Sequence, residues 1–153
     1  MDIYEFIKAE DKRLMDMAGK LLDSEAGSPE IRGMLIRQLR IQFGALCMVE
    51  GEHFYPALDM YDETGEFTEK QRALASDVSE TLDRLKQADP SNPGTKNLIE
   101  TLHSQIEIYL KGKEEALFEE VRKTIPEELA EGLGQAAEQD LNVYRRKLAG
   151  EFS

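Results

Sequence analysis

Two stretches of this sequence set carboxylates just ahead of an aromatic or Leu-Phe step: Glu50-Gly51-Glu52-His53-Phe54-Tyr55-Pro56 and Lys113-Glu114-Glu115-Ala116-Leu117-Phe118. Read as helix, the first turns Glu50 toward the same side as Leu46 and Val49. A carboxylate facing a core needs a metal ion or another cation beside it, because an unpaired buried charge is costly. A third acidic pair, Glu10-Asp11, interrupts the apolar stripe of the opening segment between Ile7 and Leu14. In a bundle of antiparallel helices these stretches meet at one level. That level holds Asp11, Glu50, Lys113 and Glu114, with Glu10 beside Asp11, Tyr109 a turn above and His53 about a turn below. Two chemistries compete for it. Asp11, Glu50, Glu114 and His53 can ligate a divalent cation. Alternatively, the Lys113 ammonium replaces the metal and neutralises Asp11, Glu50 or both.

Each residue also has a plainer reading. Lys113 either points inward between the carboxylates or snorkels along the surface, the common habit of lysine. His53 either supplies one ligand or packs as a hydrogen-bonded histidine, and lone histidines seldom make a site without partners. Tyr109 is either a phenolate ligand or a core tyrosine that fills volume and donates one hydrogen bond. Cys47 reads as a small packing residue, since no basic or metal context lowers its pKa. Glu52 and Glu115 face water, and His103 lies too far along its helix to reach the same centre.

The elements that must position these residues are helical. A first helix, about 3–22, carries Ile3, Phe6, Ile7, Leu14, Met17, Ala18 and Leu21 on one face. Ser28 as N-cap and Pro29 at the first helical position open a second, about 29–58. Its expected stripe is Ile31, Leu35, Leu39, Gln42, Leu46, Val49, Glu50 and His53. After a loop over 61–66, Thr68 with Gln71 has the pattern of a capping box, and the third helix uses Gln71, Leu74, Val78, Leu82 and Leu85. Asp89-Pro90-Ser91-Asn92-Pro93-Gly94 is the clearest linker. The fourth helix starts near Thr95 and uses Leu98, Leu102, Ile106, Tyr109, Lys113 and Leu117. Pro126 opens a fifth, about 127–148, with Leu129, Leu133, Ala137, Leu141, Tyr144 and Leu148. This predicts an all-α protein: an up-down-up-down four-helix bundle over 1–125, with a C-terminal helix over 126–153 packing on it or extending from it. Gly134, Ala136 and Ala137 on that last helix permit close approach of another helix, so a protein partner or a homo-oligomer is the alternative to its covering the bundle.

With 153 residues the chain is a single domain of ordinary size. A net charge of -12 disfavours nucleic acid and anionic membranes as partners. One cysteine excludes an intramolecular disulfide. The opening Met1-Asp2-Ile3-Tyr4-Glu5 has no basic region leading into an apolar run, and no apolar run reaches the ~20 residues that cross a bilayer. A cytoplasmic location is expected.

Over its first four helices the sequence resembles the hemerythrin-like (HHE cation-binding) family. Asp2 to Asp11 is similar to the family's first helix, with Glu10 at its acidic position and Asp11 where a histidine ligand stands. Phe54-Tyr55-Pro56-Ala57-Leu58 matches the end of the second-helix motif, Glu50 matches a bridging glutamate, and Leu46 replaces a histidine. Tyr109 to Phe118 resembles the fourth-helix motif: Glu114 matches the second bridging carboxylate, Tyr109 replaces a histidine and Lys113 a glutamate. In the third helix Ala75 and Val78 lie near the expected ligand. The resemblance implies the hemerythrin-like bundle. It also implies a di-iron centre held largely by imidazole, the ligand type that suits iron, and those imidazoles are replaced here. The reading is a degenerate domain without its di-iron cofactor, a non-catalytic regulatory or protein-interaction module rather than an enzyme. The alternative is a sensor or storage domain that binds iron, as a di-iron pair, or another single divalent metal on the remaining carboxylates. An oxidative di-iron enzyme needs paired Glu-x-x-His segments on two helices, and Glu50 to His53 has that spacing once only.

Overall fold

The computed structural model describes residues 1–24, 28–60, 65–114 and 118–152, the last without the side chains of 118, 120 and 121. The helices are α1 (Ile3–Asp23), α2 (Pro29–Val49), α3 (Tyr55–Asp59), α4 (Gly65–Gln87), α5 (Pro93–Gly112), α6 (Phe118–Thr124) and α7 (Glu127–Glu151). A π turn, Glu50–Phe54, joins α2 to α3. Around the ring α1 packs on α2 and α5, and α4 packs on α2 and α5, which is the antiparallel four-helix bundle. The axis is filled by Ile3, Ile7, Leu14 and Leu21 of α1, Leu39, Phe43 and Leu46 of α2, Val78 and Leu85 of α4, and Ile99, Leu102 and Ile106 of α5. Among the described residues no helix is long and apolar enough to cross a membrane.

The helix ends follow from local chemistry. Asp2 caps α1 by accepting from the Glu5 amide at 2.8 Å. Asn92 caps α5, accepting from Gly94 N at 2.9 Å, and Pro93 sits at the first helical position. Ser28 stands at the N-cap of α2 with Pro29 behind it, but its hydroxyl makes no capping bond.

Several stripes differ from expectation. On α2 the apolar residues run nearly all round, so periodicity alone does not choose the inner face. Ile31 is 54% exposed and Leu35 half-buried, while Arg32 and Ile36 are buried instead. Arg32 is tolerated inside because its guanidinium is satisfied: Nη2 donates to Ser24 O at 2.7 Å, Nε to Ser24 Oγ at 3.1 Å and Nη1 to Pro90 O at 3.2 Å. It pins the end of α1 to the α4–α5 linker. The capping box at Thr68 is not formed, because α4 begins earlier, at Gly65. Thr68 Oγ1 instead contacts Asp59 Oδ1 and Gly65 O, both at 2.9 Å, and Gln71 Nε2 donates to Tyr109 O at 3.0 Å. On α7 Leu129 is exposed and Ala130 and Gly134 are buried. The expected positions Glu115 and Leu117 lie outside the described residues.

The C-terminal helix covers the bundle, lying against α1 and α2. Its small residues serve that contact. A Cβ on Gly134 would collide with Met1 O and lie 2.6 Å from Asp2 C, so α7 meets the first residues of the chain backbone to backbone. A polar seam holds the same surface. Arg145 Nη2 donates to Glu10 Oε2 at 2.7 Å and to Gln42 Oε1 at 2.7 Å, and Gln42 Nε2 donates to Glu10 Oε2 at 2.7 Å. One guanidinium thereby ties α7 to both α1 and α2.

Candidate functional site

At mid-bundle, the apolar axis is interrupted by an ion cluster. Lys113 is fully buried, and its Nζ lies 2.9 Å from Asp11 Oδ1 and 2.5 Å from Glu50 Oε1. Asp11 is 1% exposed and Glu50 0%. The far oxygen of Glu50 accepts from Tyr109 Oη at 2.7 Å and from Tyr55 Oη at 3.1 Å. The ammonium also sits 4.3 Å from the centroid of the Tyr109 ring, a cation–π contact. Glu50 is therefore saturated with donors, while Asp11 Oδ2 has no partner among the described residues.

The backbone positions this cluster by a change of helical period. Glu50 begins the π turn, which closes with the Tyr55 amide donating to Glu50 O. Lys113 and Glu114 are π-helical too, at the matching level of the facing helix. A π turn inserts one extra residue and rotates everything beyond it. Phe54, Tyr55 and Leu58 thereby turn inward, and His53 moves off the axis. His53 is half-buried against α7, with Nε2 2.6 Å from Asp140 Oδ2.

Electrostatics explain the division of labour. Burial works against the Lys113 ammonium, but the charges of Asp11 and Glu50 outweigh it and raise its pKa, so it stays charged. Two carboxylates face one ammonium, and the excess negative charge falls on the carboxylate with fewer donors. Burial pushes Asp11 up to about 7, with Lys113 pulling against it and Glu50 adding to it. Burial and the Glu50 charge also raise Tyr109 and Tyr55, keeping both phenols as neutral donors. The same two causes push the Cys47 thiol up to about 12, which leaves it unreactive.

The other anticipated residues lie apart from this cluster. Glu10 belongs to the Arg145–Gln42 seam. Glu114 is exposed and lines a groove of about 530 Å³ between α1 and α5, which Asp11 also borders. Tyr55, Arg145 and Asp140 were not singled out as site residues. Tyr55 could have been, because it lies within the Phe54-Tyr55-Pro56 motif one helical turn beyond Glu50. Arg145 and Asp140 reach their partners across 135 and 87 residues of chain, and no local pattern marks them.

This bundle has a counterpart among solved structures. A hemerythrin HHE cation-binding domain-containing protein from Mycobacterium kansasii superposes with a TM-score of 0.84 at 20% identity, covering 96% of this chain and 89% of that one. The fold is hemerythrin-like. No family model and no curated protein matches the chain. The residues of this hemerythrin-like core do not fit a di-iron centre. Leu46 and Val78 are buried hydrocarbon where imidazoles are expected, Tyr109 is spent on Glu50, and an ammonium fills the space between the carboxylates.

Proposed function

We propose that this chain is a hemerythrin-like domain in which an internal ammonium has replaced the di-iron centre, leaving a non-catalytic regulatory or protein-interaction module. The observation that carries this reading is the position of Lys113 Nζ, wholly buried and bonded to both Asp11 and Glu50. A cation built into the chain balances the buried carboxylates and needs no metal supply. A divalent ion at the same place would meet a fixed positive charge and oxygen donors already engaged. The net charge of -12 suits a basic surface on a protein partner. The test is iron reconstitution of chelator-stripped protein under anaerobic conditions, followed by elemental analysis and a visible spectrum. No visible band and no iron that depends on Glu50 are expected. One or two tightly held equivalents of iron, abolished by Glu50→Gln, would overturn the proposal.

One observation favours the alternative of a metal sensor or storage domain. Asp11 Oδ2 is unpartnered, and Asp11 shares a groove with Glu114. On that reading Asp11→Asn and Glu114→Gln each lower the iron content, whereas the ammonium reading expects no effect from either.

A further inference from the structure

The π turn has a second consequence, away from the core. By rotating His53 off the axis it delivers the imidazole to α7, beside Asp140 and its own neighbour Glu52. One donor atom from each of Glu52, His53 and Asp140 lies within 4.8 Å of the others. We propose that these three residues form a zinc-type divalent cation site that clamps the π turn to α7. It is separate from the Lys113 cluster and uses none of its side chains.

The donor set is one imidazole nitrogen and two carboxylate oxygens, a mixture that suits zinc better than calcium or magnesium, which prefer oxygen alone. Tetrahedral zinc with bonds of ~2.0–2.2 Å separates its ligand atoms by roughly 3.3 Å. Three atoms inside a 4.8 Å span can close to that geometry with side-chain rotation only. His53 Nε2 and Asp140 Oδ2, now 2.6 Å apart in an ion-pair contact, must separate slightly, and the Asp140 side chain is 38% exposed and free to turn. Glu52 is exposed, so neither carboxylate has to leave a packed position. Tyr144, one helical turn beyond Asp140, stands beside the Glu52 carboxylate, which raises the pKa of its phenol. Polar neighbours of this kind commonly support a ligating carboxylate. A fourth coordination position stays open to water.

The test is calorimetric titration of zinc chloride into the chelator-stripped full chain, with circular dichroism to confirm folding of every variant. The wild type is expected to bind one equivalent and to melt higher with zinc present. Glu52→Gln is the decisive variant, since it removes a ligand and leaves the His53–Asp140 contact intact. It should weaken zinc at least about tenfold, and His53→Gln and Asp140→Asn at least as much. No saturable binding by the wild type, or wild-type affinity in a folded Glu52→Gln, overturns the proposal.

Discussion

Replacing Lys113 by methionine tests the core most directly. Methionine matches the length of the lysine stem and packs in apolar surroundings, so the change removes the charge and little volume. Two carboxylates then remain inside, at 1% and 0% exposure, without a counter-ion. Removing one partner of a buried ion pair costs roughly 3–5 kcal/mol. The lower part of that range applies here for two reasons. Glu50 keeps its two phenol donors. Asp11, with a pKa already near 7, escapes by taking a proton. At about 2–4 °C per kcal/mol for a chain of this size, a loss of about 3–4 kcal/mol lowers the melting temperature by roughly 6–16 °C. Thermal unfolding followed by circular dichroism at neutral pH measures it, with Lys111→Met on the exposed side of the same helix as control. The variant should also regain stability as pH is lowered toward 5, because the stranded Asp11 carboxylate then neutralises in the folded state. A Lys113→Met protein melting within about 2 °C of wild type would refute the argument that this ammonium balances the buried charge.

Asp11→Asn and Glu50→Gln should differ in cost although each removes one charge. In Asp11→Asn the new amide can turn its nitrogen to the side where Oδ2 has no partner. In Glu50→Gln either orientation of the amide sets its nitrogen against a donor. Chemical denaturation should give about 1 kcal/mol or less for the first and about 2 kcal/mol or more for the second. The pH dependence of stability carries the Asp11 signature. Its folded-state pKa near 7 lies above the ordinary 3.8, so the native state holds a proton that the unfolded chain releases, and stability falls as pH rises from about 4 to 7. Urea midpoints across that window should show this slope in wild type and a flatter profile in Asp11→Asn. Gly134→Ala puts a methyl into the backbone of Met1 and Asp2 and should cost about 1–3 kcal/mol by calorimetry. Arg145→Met removes the guanidinium that ties α7 to Glu10 and Gln42 and should increase hydrogen exchange in α7 before it affects α4 and α5.

Much of the architecture was legible in the chain. The apolar period of 3.6, the linker around Pro90 and Pro93, and proline at the first position of α2 are local properties, set by sterics and by burial of one helical face; the linker reading placed the start of α5 at Thr95, two residues later than Pro93, where it begins. The Phe54-Tyr55-Pro56 step and the residues flanking Glu50 and Lys113 carried the resemblance to the hemerythrin-like bundle. The meeting of Asp11, Glu50, Lys113 and Tyr109 at one level also follows from chain order, since similar helix lengths and short connections fix which residues face one another.

The rest was decided in three dimensions. A helical wheel assumes a constant rotation per residue, and the π turn at Glu50–Phe54 breaks that assumption. His53 left the core on that account, and its partner Asp140 comes from 87 residues away. On α2, apolar side chains on every face left Ile31 and Ile36 indistinguishable until neighbouring helices chose between them. Arg32, Arg145 and Glu10 are buried or half-buried because specific distant oxygens and amides satisfy them, which no local pattern encodes. Composition and period determine that helices form and that they bundle. Which polar residue is allowed inside is determined by whether the assembled fold supplies its partner, because desolvating a charge without one costs more than any local preference can offset.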